Sequence, residues 1–440
     1  MIKFFIRLTA VLTVLCLWSC ISDDISTAPD DQPAFSTDTL HLGPVFSGQG
    51  SPTSHFTVYN RHDRIITLER VAMHADAGYC RLNVDGTAGR EIGGIQIRPG
   101  DSVMVFLEVN YPADVRGRVL NHIDVTVAGR TSSVPVLAEM IAVERLRGVT
   151  LVDDMTVGPE LPLLVSDSLV VPAGTTLTLL PGAHIYMHDK ALLRVYGRIR
   201  SLGSAGSPVV ITGDRLHNVV SGISFDLMSG QWQGMVVSSA DEENVLNFTV
   251  VKNSERGLAL EPGSRLSLNS CVLRNAEEYP LSARGAKLTA TGCEIADGGA
   301  GAVCLDGGDY TFDHCTLSNY YLFSAVGDPV LQTGELTKLS LSMTNSIIFG
   351  LSGDLEQKDY AGSGVTFTRC LLASSGSDDA NFVECLWDSD PQFYVDRSKY
   401  IFDYHIHPES PAANAAKSGV SVLSPLGEDI SAHLGAYPPR

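Results

Sequence analysis

The stretch from Asn244 to Asn319 repeats every 22 residues, and no other feature constrains the fold as tightly. In register it reads NVLNFTVVKN, LSLNSCVLRN, LTATGCEIAD and YTFDHCTLSN. Thr249, Cys271, Cys293 and Cys315 form one column. Asn253, Asn275, Asp297 and Asn319 form a second, and Gly263, Gly285 and Gly307 a third. Each row alternates apolar residues, takes a two-residue step to the small or Cys position, then adds an apolar residue and a final Asn or Asp. Only Asn244 departs. Alternation means strands with one buried face, and the two-residue step marks a corner. A unit this short buries its apolar face only by stacking on copies of itself, so the period predicts a β-solenoid with two or three short strands per turn. Two later rows keep the pattern after longer loops: Leu341, Met343, Ser346, Ile348, Gly350, and Val365, Phe367, Cys370, Leu372.

The columns have distinct physical roles. Asn and Asp tolerate the left-handed corner conformation, and stacked copies have the groups for an amide ladder along the solenoid. The Gly column marks a second corner. Parallel stacking holds the Cys side chains at about 4.8 Å with parallel Cβ vectors. A disulfide needs Cβ atoms about 3.8 Å apart. The structural ladder of Cys271, Cys293, Cys315, Asn253, Asn275, Asp297 and Asn319 is therefore expected without disulfides.

The rest of the chain divides around this block. Lys3 and Arg7 followed by the apolar run Leu8 to Trp18 read as an export signal too short to span a bilayer. Leu17-Trp18-Ser19-Cys20 resembles a bacterial lipobox, which implies lipidation at Cys20, with residues 1–20 as signal and lipidation site. Residues 21–33, with four Asp, read as an acidic tether. Over residues 34–145, about seven alternating runs separated by turns such as Asp85-Gly86 and Pro99-Gly100 fit an immunoglobulin-like β-sandwich. Residues 146–375 form the solenoid domain. Its opening phrases, Leu169 to Gly182 and Leu192-Leu-Arg-Val-Tyr-Gly197, resemble the first coils of right-handed parallel β-helices. There is room for about nine coils, roughly 40–45 Å of solenoid. Residues 376–440 carry Asp390-Pro-Gln-Phe393, Ser410-Pro-Ala-Ala413 and Leu434-Gly-Ala-Tyr437, which resemble the tail phrases of bacterial β-helix proteins. They are expected to cap the solenoid's unpaired end.

Phe35-Ser-Thr-Asp-Thr39 with Asn83-Val-Asp-Gly86, set ahead of such a solenoid, resembles the opening module of Bacteroidota surface lipoproteins that carry a β-helix. The acidic Ile21-Ser-Asp-Asp24 following Cys20 resembles their surface-export signal. The resemblance implies an outer-membrane location, lipid-anchored and exposed at the surface.

The chain carries 50 acidic and 31 basic residues, a net charge of −19. Removal of residues 1–19 takes Lys3 and Arg7 and no carboxylate, leaving 29 basic residues against 50 and a charge of −21. That balance disfavours nucleic acid and anionic lipid as partners. Solenoid enzymes acting on polysaccharides need a carboxylate cluster or a base beside one on the outer face of adjacent coils. The outward positions here are Val250, Val272, Glu294, Thr316, then Lys252, Arg274, Ala296, Ser318. The neighbouring strand gives Ser267, Asn269, Thr289, Thr291, Thr311, Asp313. Lys252, Arg274 and Glu294 are the one charged trio, read as a candidate ligand-binding patch or a surface ion pair. No metal site is assigned: His405 and His407 share a strand face without a matched carboxylate. No cofactor is assigned either, with Asp306 and Asp309 near Asp297 the acidic turn that calcium would choose. The expectation is a non-catalytic surface lipoprotein binding a glycan or host-matrix polymer along a polar β-helix face. The alternative is a carbohydrate-active enzyme, a polysaccharide lyase or glycoside hydrolase.

Overall fold

A computed structural model describes residues 24–75, 77–220, 223–241 and 244–440. Cys20 and residues 1–19, expected to be an export signal, lie outside the described residues. The chain divides into two compact units, residues 1–142 and 143–440.

The first unit is a two-sheet β-sandwich. One five-stranded sheet runs in the order Ala34–Phe35, Ser54–Tyr59, Ser102–Val109, Cys80–Val84, Thr87–Gly89. The other runs Leu40–Phe46, Arg130–Ile141, Gly117–Val127, Arg70–Met73, Glu91–Ile92. Leu40–Phe46 joins its neighbour in parallel, with a register shift between Leu137 and Ala138. Alternate residues of both sheets meet in one core, Phe56, Val58 and Leu107 from the first against Val71, Ile123 and Val136 from the second. The acidic tether is partly docked on this unit. Ser26 N–H donates to the Ile65 carbonyl at 2.8 Å, and the Gln32 amide donates to the Val127 carbonyl at 3.1 Å. The tether therefore has an ordered part, because its backbone pairs with a strand edge.

The second unit is a parallel β-helix. A ten-stranded parallel sheet supplies one wall, one strand per turn, running from Met155–Val157 to Phe382–Val383. Ten turns match the expected nine or so. The other two walls are the arms of a sixteen-stranded sheet that splits at the long strand Leu163–Val171. The first half of that strand pairs with His184–Met187, and its second half with Leu192–Val195. The 22-residue register is the one the sequence dictates. Val251, Leu273, Ile295, Leu317, Ile348 and Leu372 stack as direct neighbours on successive turns. All six are buried in one continuous core, each burial worth about 1.5–3 kcal/mol.

The corners follow the predicted columns except at Asn319, which does not adopt a positive φ. Asn253, Asn275 and Asp297 adopt φ of 66°, 55° and 62°, and the Gly263, Gly285 and Gly307 column is also left-handed. A further left-handed column precedes the Cys position: Phe248, Ser270, Gly292, His314, Asn345, Arg369 and Glu384. Its residue types share no chemistry. Stacking on the neighbouring turns holds the conformation there despite its cost to an L residue. Cys271, Cys293 and Cys315 are fully buried and unpaired by disulfide. Burial pushes the Cys271 and Cys293 thiols well above their ordinary range.

The carboxy-terminal segment departs from the expected end cap. Residues up to Leu386 complete the last turns. The hairpin of Phe393–Asp396 and Ile401–Ile406, and the chain after it, then run back along one wall of the solenoid. Gly435 N–H donates to the Asn345 carbonyl, Ala436 N–H to Thr316 Oγ1, and Ser270 Oγ to the Leu423 carbonyl. The outward side chains Ile347 and Leu371 on that wall are apolar. Ile406, Ala412 and Leu434 of the tail cover them in a separate small core.

Candidate functional site

The wall beneath the tail carries the sequence's charged candidates, and the structure divides them. Val250, Val272 and Glu294 neighbour one another on successive turns, as do Lys252, Arg274 and Ala296. Lys252 does not join the other two charges: its ammonium lies 2.5 Å from Asp226 Oδ1. Arg274 lies 3.4 Å from Glu294 Oε1 and 3.6 Å from Asp297 Oδ2, and donates to the Phe402 carbonyl at 3.2 Å. Glu294 points outward from the solenoid as expected but is not on the surface; it is 3% exposed. Val272, Thr316 and Ser318, placed on the same open face by sequence, are buried with it. The tail covers this wall, the Ala436 N–H donating to Thr316 Oγ1. Two tyrosines of the tail sit on the charges. Tyr437 donates to Glu294 Oε2 at 2.7 Å, and Tyr404 donates to Asp297 Oδ1 at 2.6 Å, with its ring 5.8 Å from the Arg274 guanidinium.

Burial and pairing oppose each other within this network. Burial raises the Glu294 carboxyl above its ordinary range, and Arg274 and the Tyr437 hydroxyl only partly offset it. Burial alone would lower the Arg274 guanidinium; Glu294 and Asp297 outweigh it and raise it. Burial and the neighbouring carboxylates push both tyrosines well above their ordinary range. Such a group fixes the tail's register, since removing either partner leaves an uncompensated charge. The two carboxylate side chains are each 4% exposed and the Arg274 side chain 23%.

The Asn and Asp column occupies its predicted corners but forms no amide ladder. Asn253 Nδ2 donates to the Asp226 and Met228 carbonyls, Asn275 Nδ2 to the Asp226 carbonyl, and Asn319 Nδ2 to the Gly298 carbonyl. At Asn253 and Asn275 left-handed backbone turns the amide toward nearby carbonyls rather than toward its counterpart one turn away, whereas Asn319 has no positive φ and reaches the Gly298 carbonyl without one. An amide step does occur elsewhere, where Asn269 Nδ2 donates to Asn247 Oδ1 at 2.9 Å on the ten-stranded wall.

That wall is the open one. Its outward column runs Val245, Ser267, Thr289, Thr311, Ser342, Thr366, one residue per turn. Thr289, Thr311, Ser342 and Thr366 are exposed. Two residues on, Asn247, Asn269, Thr291, Asp313, Thr344 and Thr368 form a parallel column. Rows of hydroxyl and amide groups thus repeat about every 4.8 Å along the solenoid. Charge gathers at the wall's fringe, where Lys287 lies 3.9 Å from Asp309.

The remaining candidates are tied up locally. Asp306 pairs with Arg284 at 3.3 Å, and Asp309 accepts from Ser340. His405 is buried between Asp403 at 2.5 Å and Glu428 at 3.4 Å, while His407 accepts from the Glu409 N–H. Among the described residues, no group of three His, Cys, Asp or Glu side chains is arranged to hold a metal. Sequence reasoning missed Tyr404 and Tyr437 as partners of the charged trio. A signal was present, however: two successive rows place apolar Ile347 and Leu371 at outward positions, and an apolar outward column asks for a cover.

No protein-family model matches this chain, and no curated protein matches it.

Proposed function

We propose that this protein is a non-catalytic surface lipoprotein that binds a glycan or matrix polymer along the ten-stranded wall of its β-helix. The observation that carries the reading is the exposed Thr289, Thr311, Ser342 and Thr366 column, with its hydroxyl and amide neighbours two residues away. A repeating row of donors and acceptors suits a ligand that itself repeats, such as a polysaccharide lying along the solenoid. A turnover role needs a carboxylate or base open to substrate, and the Arg274–Glu294 pair is closed over by Tyr437. Lipidation at Cys20 would hold the protein at an outer membrane, as in the Bacteroidota lipoproteins it resembles. The sandwich, read as immunoglobulin-like, would serve as the spacer.

The test is a double variant, Thr289→Glu with Thr311→Glu, in a retention assay on insoluble and soluble polysaccharides. Retention should fall at least tenfold while the thermal melt is unchanged. Unchanged retention on every polymer the native protein holds would overturn the assignment of this wall. Release of reducing ends by the native protein would favour the enzyme alternative.

A further inference from the structure

The last turns of the solenoid open into a cleft of about 730 Å³ that neither wall uses. It lies between the loop joining Ile347–Gly350 to Gly364–Thr368 and the loop that follows Leu371–Leu372. Its volume falls within the roughly 300–1,000 Å³ typical of small-ligand sites.

Two features show that the cleft is built rather than incidental. The first is a tie between its two loops. Asp354, 3% exposed, accepts from Leu355 N–H on its own loop and from both Ser374 N–H and Oγ on the other, each at 2.9 Å. The second is an aromatic run that leaves the core and enters the cleft wall. Phe367 stacks on Phe382 at 4.9 Å, and Phe382 meets Trp387 at 4.9 Å, with Tyr360 edge-on to Phe382. Gly376 lies flat against the indole: a Cβ there would sit 2.4 Å from Trp387 Cζ3, so only glycine lets the ring hold its place.

The polar lining selects by charge. Asp354, Glu356 and Asp359 face one cation, Lys358. Its ammonium is already held by the Thr333 and Gly334 carbonyls and, at 2.8 Å, by Glu356. Ser352, also in the lining, has a buried Oγ without a partner among the described residues. Tyr360 and Phe382 are buried and Trp387 is half-buried, so the indole is the ring the cleft offers beside its carboxylate and hydroxyl groups, and it matches a molecule with an apolar ring face and a hydroxyl rim. The excess of carboxylates admits a neutral or cationic ligand and repels an acidic one.

We infer that this cleft binds one or two rings of a neutral or amino sugar. The inference concerns a site separate from the outward hydroxyl column of the ten-stranded wall, which lends the cleft only the buried Phe382, and does not rest on the reading of that column.

Titration calorimetry with cellobiose, a glucosamine dimer and a galacturonate dimer tests it on the full chain. Cellobiose or the glucosamine dimer should give saturable heat, at least tenfold stronger than the galacturonate dimer. Asp359→Lys changes an exposed side chain and should weaken the glucosamine dimer at least tenfold. Trp387→Phe keeps an aromatic ring against Phe382 and should shift affinity for both favoured sugars. The Thr289→Glu, Thr311→Glu double variant should leave the disaccharide affinities as they are. The inference fails if no disaccharide saturates, if the galacturonate dimer binds best, or if neither cleft variant changes affinity. It fails equally if the double variant on the wall abolishes disaccharide binding, which would place the sugar there instead.

Discussion

On the open wall the outward column runs Ser267, Thr289, Thr311, Ser342, Thr366; on the sealed wall the matching column runs Val272, Glu294, Thr316, Ile347, Leu371. Both columns belong to the same turns and alternate with the same buried core. The open column stays hydroxylic from Ser267 to Thr366. The sealed one changes from a carboxylate through Thr316 to aliphatic side chains, and the tail matches that change in order. Tyr437 meets Glu294, the Ala436 N–H meets Thr316, and Ile406, Ala412 and Leu434 meet Ile347 and Leu371. Strand alternation therefore states only which side chains leave the solenoid. Whether they reach water depends on a segment far along the chain.

Breaking a charge on each wall separates the two most sharply. Arg274→Met leaves Glu294 and Asp297 buried without their cation and should cost about 3–5 kcal/mol. Lys287→Met, on the open wall, should stay within about 0.5 kcal/mol. Chemical denaturation of the two variants measures the difference, and equal costs would show that the tail does not bury the Arg274 network.

A smaller contrast comes from the aliphatic end of the sealed column. Leu371→Ala opens a cavity under Ala412 and Leu434 and should cost about 2–4 kcal/mol. Thr366→Ala on the open wall should again fall within about 0.5 kcal/mol. A loss near zero for Leu371→Ala would mean that the tail is not packed on that turn in solution.

The smallest effect is one of sign with pH. Burial raises the Glu294 carboxyl above its ordinary 4.5, against the pull of Arg274 and Tyr437. A raised folded-state pKa gives stability that is present below the ordinary value and lost as pH rises through the folded one. Asp313 on the open wall runs the other way: burial raises it, but hydrogen bonds from His314 and Asn345 prevail and hold it below its ordinary 3.8. Its contribution is present above that value and is lost as pH falls through the folded one. Melting temperatures against pH for Glu294→Gln and Asp313→Asn should therefore deviate from the native protein's curve in opposite directions. Deviations of the same sign would contradict the opposed environments.

Much of the fold was legible because it is periodic. Cys271, Cys293 and Cys315 announce their stacking through a spacing of 22, and the Asn and Gly columns announce two of the corners. The third corner was legible in the two-residue step before the Cys column, but its left-handed conformation was not. Phe248, His314 and Arg369 have no intrinsic preference for that conformation, which neighbouring turns impose on them. Gly292 in the same column has a contact reason as well, since a Cβ there would lie 2.3 Å from the Leu423 carbonyl oxygen of the tail. The charged trio was legible as residues but not as a site. Lys252 pairs with Asp226, 26 residues away, and Glu294 with Tyr437, 143 residues away, and no period links either pair.

What the sequence determined by itself was the register: a strict repeat leaves only one alignment in which every turn buries its apolar side chains, so strand order, corners and core follow from local chemistry. What only the tertiary structure decided was exposure. Covering one wall and leaving another bare depends on where a non-repeating tail docks, through single long-range contacts such as Tyr404 to Asp297, and a contact made once leaves no period to read.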